Sequence, residues 1–283
     1  MPEGRLVRID DTSLHVVTRG DGPIPLIVLH GGPGLDHHEF DDYLDPLGDR
    51  CTLHLVDMRH QGASARDTDP RTWTLERMAQ DVQMLALAMD LGPYAVLGHS
   101  YGSFVTLQHA IDHPGVPLAS IVSCGVPASS FMERQTELIA AMEPAEVREK
   151  VQAALAREAA VSTVEDLWDL LVDEMPVFFA DPLDPRIADY VARTARTILS
   201  PEVLAQAASA EFALDLTDRL AEIPHRVLVL GGRHDRVCPV EGSEATAAGI
   251  PGAELVIFER SGHMPFVEET EAYLDAVRAF LSR

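Results

Sequence analysis

Six short, mostly apolar runs recur along the chain: 25–30 (PLIVLH), 52–57 (TLHLVD), 94–99 (YAVLGH), 119–124 (ASIVSC), 226–231 (RVLVLG) and 254–258 (ELVIF). Each is the length of a strand, and continuous apolar runs of this kind suit strands buried on both faces. That requires a mostly parallel sheet covered by helices. Helical patterns at 74–91, 100–113 and 268–281 separate or follow the runs, and residues 5–17 read as an antiparallel lead-in hairpin. Alternating β and α elements predict a doubly wound α/β domain. The 283 residues lie within the reach of one large domain of this class.

The rhythm breaks between about 128 and 218. No strand-like run occurs there, and helical patterns cover 131–141, 144–160, 163–175, 185–199 and 201–210. The segment carries 18 acidic against 7 basic residues, a local balance of −11. Its position after the fourth core run places it at the carboxyl edge of the sheet, where ligands bind in open α/β folds. The expected organisation is therefore a core of residues 1–127 and 219–283 with a helical cap, 128–218, inserted in it.

The net charge of −23 argues against nucleic acid and against an anionic membrane surface as partners. The apolar runs are far shorter than the ~20 residues of a membrane span. Three widely spaced cysteines, Cys51, Cys124 and Cys238, form neither a zinc ribbon nor a disulfide framework. Met1-Pro2-Glu3-Gly4 begins no basic-then-apolar leader, so a reducing cytoplasm is the expected compartment. No metal-ligand spacing, dinucleotide fingerprint or phosphate loop is present, so no cofactor or metal is expected. The expected partner is a small molecule or a short peptide.

Four loops carry candidate chemistry. Gly98-His99-Ser100-Tyr101-Gly102 fits G-x-S-x-G between a strand run and a helical pattern. A strand turning sharply into a helix needs glycine on both sides, and it leaves Ser100 exposed at a helix N-terminus as a nucleophile. A serine hydroxyl needs a base, and the base needs an orienting acid. Asp235 follows the run RVLVLG and His263 follows ELVIF, so acid and base stand in the order Ser, Asp, His, each just past a strand. His30-Gly31-Gly32-Pro33-Gly34 ends the first buried run. Its unshielded backbone would meet developing negative charge, with the N–H groups of Gly32 and Tyr101 as the expected oxyanion donors and Gly31 as the second choice. His37 and His38 read as a surface pair at a helix start, Arg59 as a loop anchor, and Trp73 and Trp168 as packing residues.

With these loops in order, the chain resembles the serine α/β-hydrolases, and in particular the prolyl iminopeptidase (proline aminopeptidase) family. Gly232-Arg233-His234-Asp235-Arg236-Val237-Cys238-Pro239 resembles that family's G-R-x-D-x-x-C-P loop. Residues 57–64 match its D-Q-R-G-x-G-x-S at Asp57, Arg59, Gly62 and Ser64, departing at Met58 and His60. The resemblance implies a cofactor-free aminopeptidase that releases N-terminal proline, or a similar residue, from short peptides. It also implies that Glu211, in Ala208-Ser209-Ala210-Glu211-Phe212, binds the substrate's ammonium as in the N-E-F segment of one branch. His99 and Tyr101 depart from the family's G-G-S-W-G elbow towards the G-H-S-x-G of esterases and lactonases. A carboxylesterase or lactonase with the same triad is thus the alternative.

Overall fold

A computed structural model of the chain describes residues 4–209 and 214–283. Its eight-stranded sheet comprises β1 (Arg5–Ile9), β2 (Thr12–Arg19), β3 (Ile24–Leu29), β4 (Cys51–Asp57), β5 (Ala95–His99), β6 (Ala119–Ser123), β7 (Arg226–Gly232) and β8 (Glu254–Phe258). The spatial order is β1-β2-β4-β3-β5-β6-β7-β8. β2 runs antiparallel to both β1 and β4, and every later pairing is parallel. The six apolar runs are therefore six adjacent parallel strands.

In β3 to β7 the continuous hydrophobicity follows from cover on both faces, whereas β8, at the sheet edge, leaves Leu255 exposed. Along β3, Ile27 and Leu29 enter a core with helices α1 (Leu75–Ala88) and α2 (Tyr101–Asp112), through Met78, Leu85 and Val105. Leu26 and Val28 point the other way, into a core with Phe40 and the C-terminal side chains Tyr273, Val277 and Phe280.

Between β6 and β7 the chain leaves the sheet and returns side by side with itself. Ala128 bridges Asp215, and Leu216 N–H donates to Pro127 O at 2.8 Å. The described part of this excursion forms α3 (Gln135–Ala140), α4 (Ala145–Leu155), α5 (Val164–Phe178), α6 (Arg186–Thr194) and α7 (Pro201–Ser209), with 3-10 turns between them. Thr163 and Asp166 form a reciprocal capping box that starts α5. This helix runs past Met175, where the sequence pattern stops, through Pro176 to Phe178. The extra turn buries Val177 against Ile139, Met142 and Val151. After β7 follow α8 (Val240–Gly249), a four-residue α9 (Pro265–Glu268) and α10 (Thr270–Leu281). Among the described residues, no helix is long and apolar enough to cross a membrane.

The excursion is held down at two edges. On one, Arg193 and Arg196 pair with Asp41 at 2.6 and 2.5 Å, and Tyr190 OH donates to Glu39 O at 3.0 Å. On the other, the residues after α5 bind the loops that follow β7 and β8, as described below.

Arg59, fully buried, anchors its loop by a two-pronged contact to Asp81 on α1, both bonds 2.7 Å, with a further bond to Asp11 at 2.8 Å. Removing one partner of a buried pair strands the other charge, whereas an exposed pair contributes little. Asp81→Ala is expected to lower stability by about 3 kcal/mol, and Asp11→Ala, at a half-exposed carboxylate, by under about 1 kcal/mol. Urea unfolding of the two variants measures the contrast.

Candidate active site

Ser100 sits where β5 ends and α2 begins, with φ 52° and ψ −119°. This left-handed conformation is uncommon for a side-chain-bearing residue and marks strain held by its surroundings. Ser100 N–H donates to Ser123 O at 2.9 Å, and Ser103 Oγ donates to Ser100 O at 2.5 Å.

Asp235 follows β7 and is 3% exposed. Its Oδ1 accepts from the backbone N–H groups of Val237 and Cys238, both at 2.8 Å, and its Oδ2 lies 2.7 Å from His263 Nδ1. With a carboxylate as acceptor, His263 must carry its proton on Nδ1, which leaves Nε2 as the basic nitrogen. That Nε2 has no hydrogen-bond partner among the described residues. Ser100 and His263 line one cavity of about 200 Å³, together with Gly32 of the glycine turn. A second lobe, about 230 Å³, shares Gly32 and Ser100 and is walled by Tyr101, Phe104, Met132 and Cys238. His99, buried directly behind, has its ring 4.9 Å from that of His263. Burial pushes the His99 pKa far down, so it packs as a neutral ring.

The glycine turn is braced by the 57–64 segment. His30 Nε2 accepts from Met58 N–H at 3.2 Å, so its Nδ1 carries the proton and donates to Gly31 O at 2.7 Å. Gln61 Oε1 accepts from Gly34 N–H at 2.7 Å. Gly31 N–H is already committed to Glu39 Oε2 at 2.6 Å, which removes the second-choice oxyanion donor. Gly32, at φ 112°, is the turn residue that opens on the cavity.

Asp57 is the node beneath this turn. His37 N–H and Nδ1 donate to its Oδ1 at 2.9 and 2.6 Å, while His15 Nδ1 and Ala63 N–H donate to its Oδ2 at 3.0 and 2.8 Å. Burial works against the charge, yet the bonds from His15 and His37 hold this carboxyl well below the usual range. His37 is thus buried rather than at the surface, because it closes the carboxylate's shell. His15, His37 and Asp57 also have metal-ligand proximity, as do Asp36, His37 and His38, and Cys124, Asp235 and His263. In the first and third sets both partners of the Nδ1–carboxylate contacts are already bonded to each other.

Three glutamates that no motif singles out face the cavity shared by Ser100 and His263: Glu39, Glu158 and Glu174. Burial pushes Glu39 up to about 7 and Glu174 up to about 8, and it raises Glu158 as well. Glu174 Oε1 is buried without a hydrogen-bond partner. The remaining wall is mostly apolar, including Leu167, Leu170, Met175 and Phe178, and no arginine or lysine lines it among the described residues. Glu211 lies outside the described residues.

A fourth glutamate, Glu268, joins the residues after α5 to the His263 loop. Its carboxylate accepts from Gly262 N–H at 2.7 Å and from Ala180 N–H at 2.8 Å, while His263 N–H donates to Phe178 O at 2.7 Å. Arg236, next to Asp235, donates to the carbonyls of Phe179 and Ala180 at 2.6 and 3.0 Å.

Residues 24–270 match the family described as alpha/beta hydrolase fold. A proline iminopeptidase of Clostridium botulinum is 26% identical over 267 residues, covering 92% of this chain and 90% of that protein. Two solved structures superpose over nearly their whole length. An alpha/beta fold family hydrolase from Bacillus anthracis does so with TM-score 0.82 at 19% identity, covering 98% of each chain. An esterase from Exiguobacterium antarcticum does so with TM-score 0.76 at 22% identity, covering 99% of this chain and all of the other. At these identities the structures speak for the fold.

The raised value at Glu174 has a consequence for stability. Between the ordinary glutamate range and about 8 the folded chain keeps a proton that the unfolded chain has lost, so stability falls as pH rises through that window. Glutamine mimics the protonated form. Glu174→Gln is expected to match the parent near pH 4 and to gain on it up to pH 8, by at most about 1.4 kcal/mol per pH unit, with the gap constant above. Chemical denaturation across pH 4–9 measures it.

Proposed function

Because the chain belongs to the alpha/beta hydrolase fold family, we propose that it is a serine hydrolase working through an acyl-enzyme, and specifically an aminopeptidase acting on short peptides with a free N-terminal residue such as proline. Ser100 is the nucleophile. His263 Nε2 takes its proton as Ser100 attacks the scissile carbonyl, and Asp235 holds the imidazole tautomer and stabilises the imidazolium. The N–H groups of Gly32 and Tyr101 receive the oxyanion. His263 then protonates the leaving amine, and a water molecule repeats the sequence to release the acyl group.

The acyl-enzyme reading is supported by the 2.7 Å contact between His263 and Asp235 and by the cavity that His263 shares with Ser100. The choice of a cationic acyl group is carried by one observation: that cavity is lined by three glutamates and, among the described residues, by no arginine or lysine. A free ammonium would meet carboxylates there, and an opposite charge favours their ionised form. The relationship to proline iminopeptidases supports the same choice. The second reading, a carboxylesterase or lactonase on small acyl esters, is favoured by the leucine-rich wall, which would hold an uncharged acyl chain equally well.

Ser100→Ala is expected to lower kcat by several orders of magnitude on every substrate, leaving the residue due to binding and the oxyanion donors. Stoichiometric labelling by an organophosphonate should vanish with it; labelling that survives at another serine would refute the assignment. Proline p-nitroanilide assayed beside a p-nitrophenyl ester series separates the two readings. A kcat/KM on the esters equal to or above that on the anilide favours the esterase.

A further inference from the structure

We propose that Glu39 receives the ammonium of the substrate's first residue, so that the free amine is recognised by the core, next to the nucleophile, and not by the cap. The proposal rests on the aminopeptidase reading above. In an N-terminal aminoacyl group the nitrogen is attached to the carbon adjacent to the attacked carbonyl. Its acceptor must therefore lie within about one residue's width of Ser100 Oγ.

Glu39 meets that requirement. A methyl group placed on Gly31 would meet Glu39 Oε1 at 2.6 Å and Ser100 Cβ at 3.1 Å, so carboxyl and serine flank the same glycine. Glu39 Oε2 is tied to Gly31 N–H, which fixes the side chain's direction. Among the described residues Oε1 has no hydrogen-bond partner, and His99 Nε2 lies 3.9 Å from it. Since His99 stays neutral, it supplies no charge to Oε1. A carboxylate that is nine-tenths buried, with one N–H donor and no arginine or lysine partner among the described residues, lacks half of what an ion requires. An ammonium on the Ser100 side would supply the other half.

The cap carboxylate Glu174 is the rival. Its Oε1 is closed off from solvent, and it stands on α5, whereas Glu39 and Ser100 flank one glycine. A glycine at position 31 also follows from the proposal, because any side chain there would stand between Glu39 and Ser100.

The test compares the parent chain, Glu39→Gln and Glu174→Gln on proline p-nitroanilide and on its N-acetyl derivative, reading the ratio of the two kcat/KM values. Glutamine can still accept from Gly31 N–H, and the rate of labelling by a neutral organophosphonate reports that Ser100 and His263 are intact. The expected result is a parent that prefers the free amine and a Glu39→Gln variant whose ratio falls at least about tenfold, chiefly through KM, while Glu174→Gln keeps the preference. A ratio unmoved in Glu39→Gln and lost in Glu174→Gln overturns the proposal and leaves the aminopeptidase standing. A parent without preference overturns both. If Glu39→Gln does not fold, the parent chain is treated with a water-soluble carbodiimide and glycinamide, with and without pyrrolidine. Pyrrolidine should protect the peptide containing Glu39 in mass spectra, and equal labelling overturns the proposal.

Discussion

The reversal at Ser100 brings three stretches of backbone into direct contact, and the site depends on that contact. A Cβ on Gly98 would collide with the Gly102 carbonyl, and one on Gly102 would press on the carbonyls of Leu29 and His30. β3, β5 and α2 therefore touch main chain to main chain, which is possible only because neither glycine carries a side chain. That closeness sets the glycine turn after His30 against the start of α2, with the strained serine between them. Backbone strain of this kind costs of order 1–3 kcal/mol. It persists because Ser100 is bonded on both sides, through its own N–H and its own carbonyl.

Around that turn the protein treats buried carboxylates in two ways. Asp57 and Asp235 are each surrounded by donors, at least three per side chain, an imidazole Nδ1 among them. Glu39 and Glu174 are buried as deeply in comparable surroundings but are given few donors or none, so desolvation raises them towards neutrality. The first kind sets geometry and tautomer. The second leaves the cavity with a capacity for positive charge that the protein itself does not fill.

Much of the fold was legible because its signals are local. The runs at 119–124 and 226–231 became β6 and β7 almost residue for residue, since a strand covered on both faces leaves an uninterrupted apolar trace. That Ser100, Asp235 and His263 share one edge of the sheet was legible because each follows such a run, and strand ends converge on one edge of a parallel sheet. Glu39 was not. It lies in a four-residue 3-10 helix, and its significance comes from Gly31, Ser100 and Tyr190, which only the tertiary fold brings near. His37 was misread for a related reason: a polar residue after a glycine turn looks exposed until Asp57 is known to sit beneath it. Glu268, one charge among several near the C-terminus, gives no sign in sequence that two backbone amides will point at it.

Those two amides bear on how such a molecule can be rebuilt. The residues from Phe178 to Ala180 supply the acceptor for the His263 amide, share Glu268 with the glycine before it, and take both guanidinium prongs of Arg236. The covering helices are thus not a cassette that can be exchanged at its two chain crossings. A chimaera that imports a foreign cap leaves Gly262, His263 and Arg236 facing a segment of another shape, with donors that find no acceptor. The unit that can be transplanted intact is larger: the end of α5 with its two following residues, together with the loops after β7 and β8.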